Sequence, residues 1–543
     1  FRTPPQSART RVWWWWLNGN VDKQAISRDL AEMKAKSIGG AQLIDAGGAP
    51  GEVPPGPPFA SPAWRELFKH ALAEAERNGI ELSVNIQSGW NLGGPLVTPE
   101  RACKYVTTAS VRIAGGRAVQ IDLPQPRTSG DYYRDVAVLA LPARQAEQGV
   151  SLTWKASSTQ PGHEAELAGD GEAETFWVSR GTQAGQGPSD QKKEWLQVTL
   201  EAPATVRGVV VVPRPKYGPR ECTLQVRQEN GKFKPLASFK MEADQTGRAD
   251  IEPVTGSEFR LSFSGAYDPR SPDKPRNVQV AEWALVGVNA AKTRRPIRFF
   301  EDKAARRELG FSVPRSEHLL DWQEADDPDA RLDEVRDVTV CAKDGKLRWE
   351  APPGTWTIVR VGYTLAPRAH VSTSSPTWKG LCVDYLDPQA LRWYWKQIVE
   401  PLITDAGPRA GTTWKYVHTD SWELGGVNWT PEFPREFKTR RGYDMTPWLP
   451  ALAGCVIESR SATTRFLTDF RRTIADCIAD NHYGVMAQLA AQHGMGIHPE
   501  SGGPHGAPVD GLQCMGRGSM AMMEFWARSP RHRVKDEDRF FVK

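Results

Sequence analysis

Apolar residues in the first hundred positions follow two alternating patterns. Short apolar runs predict buried strands at residues 12–17, 41–44 and 80–86, and helical spacing predicts helices at residues 23–36 and 62–77. Alternation of strands and helices indicates a parallel sheet. The three strands end in polar or aromatic residues, namely Asn18, Asp45 and Trp90. Polar residues at the carboxyl ends of parallel strands are typical of the functional end of a βα-barrel.

The pattern changes between residues 105 and 365 to short alternating strands with turn signals and no clear helical period. This pattern predicts a large all-β insertion made of two sandwich-like units. Its middle, at about residues 150–287, contains ASS at 156–158, GDG at 169–171, FW at 176–177, WLQV at 195–198 and VVVV at 209–212. In this order the motifs resemble discoidin-like β-sandwich modules of the carbohydrate-binding type. Such a unit either binds sugar or serves as a spacer that braces the barrel.

Helical spacing returns after residue 387, and an apolar strand at 414–417 leads into a segment rich in acids, tryptophans and glycines that extends to residue 430. Later patterns predict two short helices at 431–440 and 446–452 and one long amphipathic helix at 462–493. Two further strands are predicted at 495–498 and 520–523. Residues 528–539 are expected to be loop-like, and residues 540–543 are compatible with the start of another helix.

The order of these elements predicts an α/β fold, a (β/α)8-type barrel that is C-terminally incomplete in this chain, because six strands do not close an eight-stranded barrel. Residues 1–104 are expected to form strands one to three, residues 105–365 the all-β insertion, and residues 366–543 strands four to six. We therefore expect further strand–helix units beyond residue 543.

Composition narrows the class of partner. The chain has 21 tryptophans among 543 residues and a net charge of +4. This small charge does not favour nucleic acid or an anionic membrane, whereas tryptophans clustered beside acids favour carbohydrate. Seven cysteines without CxxC spacing argue against a disulfide framework and a structural zinc site. No apolar run reaches membrane-spanning length, and no GxSxG, GxGxxG or P-loop motif indicates a serine nucleophile or a nucleotide cofactor.

The first residue is Phe1 rather than methionine. An N-terminal leader is therefore expected to have been removed, and a periplasmic or secreted location is the corresponding prediction.

Three of the later predicted strands end in a glutamate: Glu423, Glu500 and Glu524. Glycosidic cleavage needs one carboxylic acid to protonate the leaving oxygen and one carboxylate to activate water or attack carbon. A helix cap or a surface charge explains any one of these acids, but a βα-barrel would bring all three to one pocket. They are the predicted catalytic residues.

Other polar and aromatic residues at strand ends are predicted to bind substrate, with packing at the barrel mouth as the alternative: Asn18, Asp45, Trp90, Asp420, Trp422, His498 and Trp526. His418 lies one position off the inward pattern set by Trp414 and is expected to be a core histidine. The four consecutive tryptophans at residues 13–16 alternate, which predicts two rings toward the barrel and two toward the helices, mostly as core.

The motifs at these positions resemble the α-L-rhamnosidases of glycoside hydrolase family 106. The resemblance covers roughly residues 10–105 and 375–530. It is carried by WWLNGNV at 15–21, RDL at 28–30, GGAQ at 39–42, SGW at 88–90, DSWE at 420–423, NWTP at 428–431, RRGYD at 440–444 and HPE at 498–500.

The resemblance implies an inverting, exo-acting hydrolase of terminal α-L-rhamnosides, with a calcium ion that contacts sugar hydroxyls. It implies that Glu423 is the general acid and that Glu524 or Glu500 is the general base or a carboxylate beside the calcium ion. Members of the family carry a further glutamate on the seventh barrel strand, which this sequence does not include. No EF-hand loop is present, so no residue is assigned as a calcium ligand.

Two other functions stay open at this point. The chain is either a catalyst or a non-catalytic carbohydrate-binding protein whose sandwich does the binding. As a catalyst it acts on rhamnosides or, as a similar barrel enzyme, on another sugar such as a β-glycoside. The oligomeric state is left open.

Overall fold

The structure, a computed structural model, covers most of the chain. It describes residues 4–48, 51–143, 152–169, 175–286, 288, 328–367, 369–424, 426–501, 509–522, 525–527 and 540–542.

Five parallel strands form the sheet that carries the candidate site. In chain order they are β1 (Arg11–Leu17), β2 (Gly40–Ala46), β3 (Glu81–Ser88), β4 (Trp414–Thr419) and β5 (Gly496–Pro499). Each strand pairs with the next in the order β1-β2-β3-β4-β5, and every pairing is parallel. The predicted positions of these five strands are confirmed to within a few residues. Within the described ranges the five strands form an open sheet, and closure into a barrel is not observed.

The helices share the main hydrophobic core with one face of this sheet. Asp22 caps the first helix by accepting from the Ala25 amide at 2.7 Å, and Ser61 caps the second by accepting from Trp64. The α-helices are Lys23–Ala35, Pro62–Asn78, Pro388–Tyr394, Glu400–Ala406, Phe433–Arg441, Arg460–Cys477, Val485–Ala491 and Gly511–Met515. A π-helical segment, Trp395–Val399, joins Pro388–Tyr394 to Glu400–Ala406, and a second, Ile478–Gly484, joins Arg460–Cys477 to Val485–Ala491. Thr446–Ala453 is a 3-10 helix.

The two faces of the sheet differ in chemistry. Apolar side chains such as Leu82, Val84 and Ile86 of β3 are buried in the main core with the helices. The opposite face, called here the inner face, is defined by Trp13, Trp15, Ser83, His418 and His498, which contact one another or Trp90. The sheet therefore has one apolar face toward the helices and one face that carries polar and aromatic side chains.

A β-bulge in β4 decides which side chains reach the inner face. The register between β4 and β3 shifts between Trp414 and Tyr416. Trp414 therefore packs against Phe68 of a surrounding helix, with ring centroids 5.5 Å apart, whereas His418 lies on the inner face beside Trp13. The prediction that Trp414 marks the inward pattern was wrong, because the extra residue exchanges the two faces.

Antiparallel sheets occupy the chain between β3 and β4. A seven-stranded sheet with its own core contains Leu152–Ala156, Trp177–Val178, Glu194–Pro213, Pro219–Arg227, Phe233–Lys240, Gly247–Ala266 and Gln279–Val286.

Two smaller sheets lie on either side of that sheet in sequence and share a third core. The four-stranded sheet consists of Lys104–Ala114, Tyr133–Pro142, Arg336–Asp337 and Thr355–Leu365. The three-stranded sheet consists of Arg117–Asp122, Ala342–Lys343 and Lys346–Ala351. A short pair, Gly93–Gly94 with Leu381–Cys382, connects the segments that precede and follow all of these strands.

A buried lysine fixes the beginning of this β-region to the site-bearing sheet. The ammonium group of Lys104 donates to the carbonyls of Glu100 (2.9 Å) and Ala102 (2.7 Å) and lies 3.4 Å from an oxygen of Asp384. The carbonyl of Lys104 accepts from the amides of Asn428 and Trp429, in the loop after β4. The loop that follows Glu423 is thereby held to the point at which the β-region begins.

Two predictions for the C-terminal part were wrong. Residues 520–522 are not a strand; the Met520 amide donates to the carbonyl of Ile497 at 3.3 Å without forming a sixth strand of the sheet. Instead Phe525–Ala527 pairs antiparallel with Phe540–Val542, so residues 540–542 are strand rather than the start of a helix. In the described ranges no helix combines the length and the hydropathy needed to cross a membrane.

Candidate active site

Residues 372–375, which follow the β-region in the chain, cover the carboxyl ends of β2 and β3 and are called here the cover. The amide of Gly47 donates to the carbonyl of Thr373 at 2.7 Å, and the amide of Trp90 donates to the carbonyl of Ser372 at 3.1 Å. Gly89 has a φ of +82°, and a Cβ there would overlap the Ser372 carbonyl oxygen. This close approach requires glycine and brings Ser372 to the mouth of the site.

Glu423 lies in the turn after β4 and is half-buried. Its carboxylate accepts from the hydroxyls of Ser372 and Ser421, each at 3.4 Å. Its backbone is held from the β3 side, because the Asn91 side chain both accepts from the Glu423 amide and donates to its carbonyl, each at 3.3 Å. Glu423 is thus positioned by two other segments and by its own turn, while the residue stays partly open to solvent.

Glu500 follows β5 directly and is buried. Its amide donates to the carbonyl of Thr419, the last residue of β4, at 3.0 Å. Glu423 and Glu500 therefore follow the carboxyl ends of two neighbouring parallel strands. Glu524, the third predicted catalytic residue, lies outside the described residues.

Tryptophans line the inner face of the sheet. Trp15 is 43% exposed, and its ring packs edge-on against Trp90 with centroids 5.5 Å apart. Trp13 contacts both Trp90 (6.3 Å) and the ring of His418 (6.1 Å). The predicted alternation is confirmed, since Trp14 and Trp16 are buried on the helix side. The expectation that all four rings are mostly core was wrong for Trp15.

Asn18 and Asp45 hold the loops of the mouth. The amide group of Asn18 donates to the carbonyl of Val53 and accepts from the amide of Gly48, both at 2.9 Å. Asp45 is fully buried and accepts from Trp64 Nε1 at 3.0 Å and from the Ser375 hydroxyl at 2.8 Å. Burial raises the pKa of Asp45 to about 6, against the opposing effect of these hydrogen bonds and one from Ser88. Both side chains are occupied by protein groups, which fits the packing alternative.

The other residues predicted to bind substrate differ in their surroundings. Trp422 is buried, donates from Nε1 to the carbonyl of Leu424 at 2.8 Å and packs edge-on against Tyr385. This environment also fits packing rather than contact with a sugar. Trp90, by contrast, is partly exposed on the inner face. Trp526 lies in a described strand, but its side chain is outside what the structure describes.

A line of polar groups runs across the inner face of β3, β4 and β5. The Ser83 hydroxyl is 3.1 Å from Nδ1 of His498, and the carbonyl of His498 accepts from Nδ1 of His418 at 2.7 Å. Nε2 of His418 lies 3.5 Å from an oxygen of Asp420. Burial, followed by the neighbouring His418 and Arg11, lowers the pKa of His498 to about 3, so this ring is neutral near pH 7.

Sequence reasoning missed Ser372, Ser375 and Asn91. Ser372 and Ser375 lie nearly three hundred residues after β3, so no local pattern relates them to it. Asn91 follows the SGW motif directly, and its position after a strand end was the signal that could have identified it.

A family model described as alpha-L-rhamnosidase, glycoside hydrolase family 106, matches residues 2–541. The chain belongs to this family. The resemblance carried by the motifs at the strand ends is therefore confirmed.

Two relatives of this family-106 chain show how much of a longer protein it represents. A rhamnosidase structure from Novosphingobium sp. PP1Y superimposes with a TM-score of 0.73 and 28% identity, over 97% of this chain and 49% of that one. A curated protein of Formosa agariphila, named "Putative beta-glucuronidase", is 28% identical over 531 residues, which are 97% of this chain and 32% of that protein. The chain thus spans about half the length of the Novosphingobium rhamnosidase and about a third of the length of the Formosa agariphila protein.

Proposed function

We propose that the protein is a glycoside hydrolase that releases terminal α-L-rhamnose with inversion, and that Glu423 is the general acid. The observation that carries the proposal is the position of Glu423 in a family-106 chain. It stands at the carboxyl end of a parallel strand, is held by Ser372, Ser421 and Asn91, and is still partly open to solvent.

Glu423 protonates the glycosidic oxygen in this mechanism. A general acid must reach the leaving oxygen and must be fixed in orientation, and the backbone contacts with Asn91 together with the two serine hydroxyls supply that orientation. In the same step a second carboxylate removes a proton from water, whose oxygen attacks the anomeric carbon from the opposite face of the sugar as the glycosidic bond breaks. Glu500 and Glu524 are the two candidates for this base within the chain.

The exposed rings of the inner face suit the sugar. Trp15 and Trp90 present apolar faces on the inner face, and Trp90 precedes Asn91, whose side chain holds the backbone of Glu423. Such rings pack against the C–H groups and the methyl group of a deoxy sugar, which fixes the ring while hydrogen bonds read its hydroxyls. We propose that these two rings line the sugar subsite.

The wider organisation also enters as a proposal. The five parallel strands are taken as the first part of a (β/α)8 barrel, with residues 105–365 as its insertion and with the seven-stranded sheet as a discoidin-like sugar-binding or bracing unit. A periplasmic or secreted location suits an enzyme that meets plant or bacterial glycans.

Calcium is proposed from the family alone. Within the described ranges, no three His, Cys, Asp or Glu side chains come together in a group that could hold a metal ion. Calcium prefers six to eight oxygen ligands. Those ligands include backbone and amide carbonyl oxygens as well as carboxylates, so no ligand set and no step are assigned to the ion. The protein is first freed of metal with a chelator and then titrated with calcium in a calorimeter, with and without rhamnose. Heat of calcium binding is the result that supports this proposal.

Hydrolysis of aryl α-L-rhamnosides tests the main proposal. Glu423→Gln keeps the size of the side chain but cannot give up a proton, so kcat on a substrate with a poor leaving group is expected to fall by about 10³-fold or more. An activated leaving group needs less protonation and should lose much less activity. Glu432→Gln is the matched control, since Glu432 is exposed and its carboxylate forms an ion pair with the exposed Arg435. NMR of the first-formed anomer tests inversion. Equal loss with both leaving groups would reject Glu423 as the acid.

A second candidate function is cleavage of β-glucuronides, favoured by the name of the Formosa agariphila relative. An aryl β-D-glucuronide beside the aryl α-L-rhamnoside separates the two. Turnover of the glucuronide alone would replace the rhamnosidase proposal. Binding of rhamnose without turnover of either substrate would favour a non-catalytic carbohydrate-binding protein.

A further inference from the structure

His418 and Asp420 form a pair that is enclosed by the protein. Asp420 is 5% exposed and His418 is fully buried. Nε2 of the histidine and Oδ2 of the aspartate are 3.5 Å apart, and neither atom has a hydrogen-bond partner among the described residues. Two enclosed polar atoms without hydrogen-bond partners need an explanation, because an unsatisfied buried polar atom costs on the order of 1–3 kcal/mol.

The hydrogen bond on the far side of the ring fixes one proton of His418. Nδ1 lies 2.7 Å from the carbonyl oxygen of His498, and a carbonyl only accepts, so Nδ1 must carry a hydrogen. A neutral His418 would then turn the lone pair of Nε2 toward the lone pairs of an ionised Asp420. That arrangement is repulsive, and it is relieved only if one more proton lies between the two groups.

The surroundings of Asp420 also favour one more proton between the two side chains. Its other oxygen accepts from the amide of Ser421 at 2.8 Å, and His418 is its one possible cationic partner in the part of the chain that the structure describes. The other titratable groups facing the pair are His498 and Glu500 from the β5 side and Tyr483 from the π-helix. Burial lowers the pKa of His498, which keeps that ring neutral, and a tyrosine hydroxyl has no cationic form; burial also raises the pKa of Tyr483, which keeps its hydroxyl from becoming an anion. A buried carboxylate without a cation is costly.

We propose that His418 and Asp420 hold one additional proton between them, carried by the imidazole at neutral pH, and that this pair anchors the turn that presents Glu423. Imidazole is intrinsically the stronger base of the two groups. The carboxylate of Asp420 accepts a hydrogen bond from the amide of Ser421, the first residue of the turn. The hydroxyl of Ser421 then donates to Glu423. His418 and Asp420 are thus positioning residues rather than groups that touch the reacting atoms. The positioning role depends on the proposed function, whereas the shared proton does not.

Side-chain NMR of the protein labelled with 15N-histidine tests the proton directly. Doubly protonated and neutral rings give distinct 15N signals, and loss of one signal in His418→Gln assigns it. A doubly protonated His418 at pH 7 is the expected result, and a neutral His418 would overturn the proposal. His482 is the matched control, since it is buried and burial lowers its pKa to about 3, so its ring should be neutral. In Asp420→Asn, the amide donates to Nε2 and His418 should become neutral with its hydrogen on Nδ1.

Kinetics tests the positioning role. Asp420→Ala should lower kcat on an aryl α-L-rhamnoside about 100-fold, with KM changed less than about three-fold, because a misplaced acid affects the chemical step more than binding. Asp420→Asn restores the contact with His418 and should recover about ten-fold of that loss. Equal losses in the two variants would overturn the positioning role. A wild-type protein inactive on rhamnosides would reject the proposed function, while the NMR spectra would still decide the shared proton.

Discussion

At the scale of single residues, Asp45 shows how burial changes a carboxylate at the mouth of this sheet. It accepts hydrogen bonds from Trp64 and Ser375, yet its pKa is raised to about 6 because burial outweighs those bonds. A group whose pKa is higher in the folded protein than in the unfolded chain binds a proton more tightly when folded. Its contribution to stability is therefore present at low pH and is lost as the pH rises to about 6.

Asp45→Asn should remove this pH dependence. Between pH 4 and pH 7 the free energy of unfolding of the wild type should fall relative to that of the variant by up to about 3 kcal/mol, since each pKa unit corresponds to about 1.4 kcal/mol. Urea unfolding of both proteins at several pH values measures the difference. Asp22→Asn, at an exposed helix cap, is the control. A difference between wild type and Asp45→Asn that does not change with pH would contradict the prediction.

At the scale of elements, the parts of the site predicted from sequence are those encoded locally. Apolar runs identified β1 to β5, and the acids at their ends were read directly from the chain. The bulge between Trp414 and Tyr416 was not predictable, because it depends on the pairing of β4 with β3. The cover over β2 and β3 was missed for a similar reason. Its contacts join Ser372 and Ser375 to residues nearly three hundred positions away, which no periodicity reports.

Gly89→Ala tests whether this cover positions Glu423. A Cβ at residue 89 would meet the Ser372 carbonyl, so the segment and the Ser372 hydroxyl should move away from the acid. A fall in kcat of about 10-fold or more is expected, together with a loss of stability beyond the roughly 1 kcal/mol of backbone strain. Gly185→Ala is a matched control, since Gly185 has the same φ of +82° and open space around its Cβ position. Equal stability losses and unchanged kcat in both variants would show that the cover is not needed.

At the scale of the whole molecule, the described residues contain separate hydrophobic cores. The main core joins the parallel sheet, its helices and part of the four-stranded sheet, whereas the seven-stranded sheet has a core with no residue in common with it. Polar anchors such as Lys104 and Asp384 hold the beginning of the β-region to the site-bearing sheet. Because cooperative unfolding follows shared cores, the seven-stranded sheet should behave as a unit of its own.

Calorimetry with two matched variants tests this separation. Phe263 and Phe470 are both fully buried, the first in the core of the seven-stranded sheet and the second in the main core. Replacing either by alanine should remove about 3–5 kcal/mol from the unit that contains it. Phe263→Ala should lower the Tm of one transition and leave rhamnoside hydrolysis nearly unchanged at lower temperature. Phe470→Ala should lower the Tm of the other transition, and rhamnoside hydrolysis should be lost at the same lower temperature. If both variants shift one common transition, the sheets unfold together, and the β-region stabilises the site as part of a single cooperative structure.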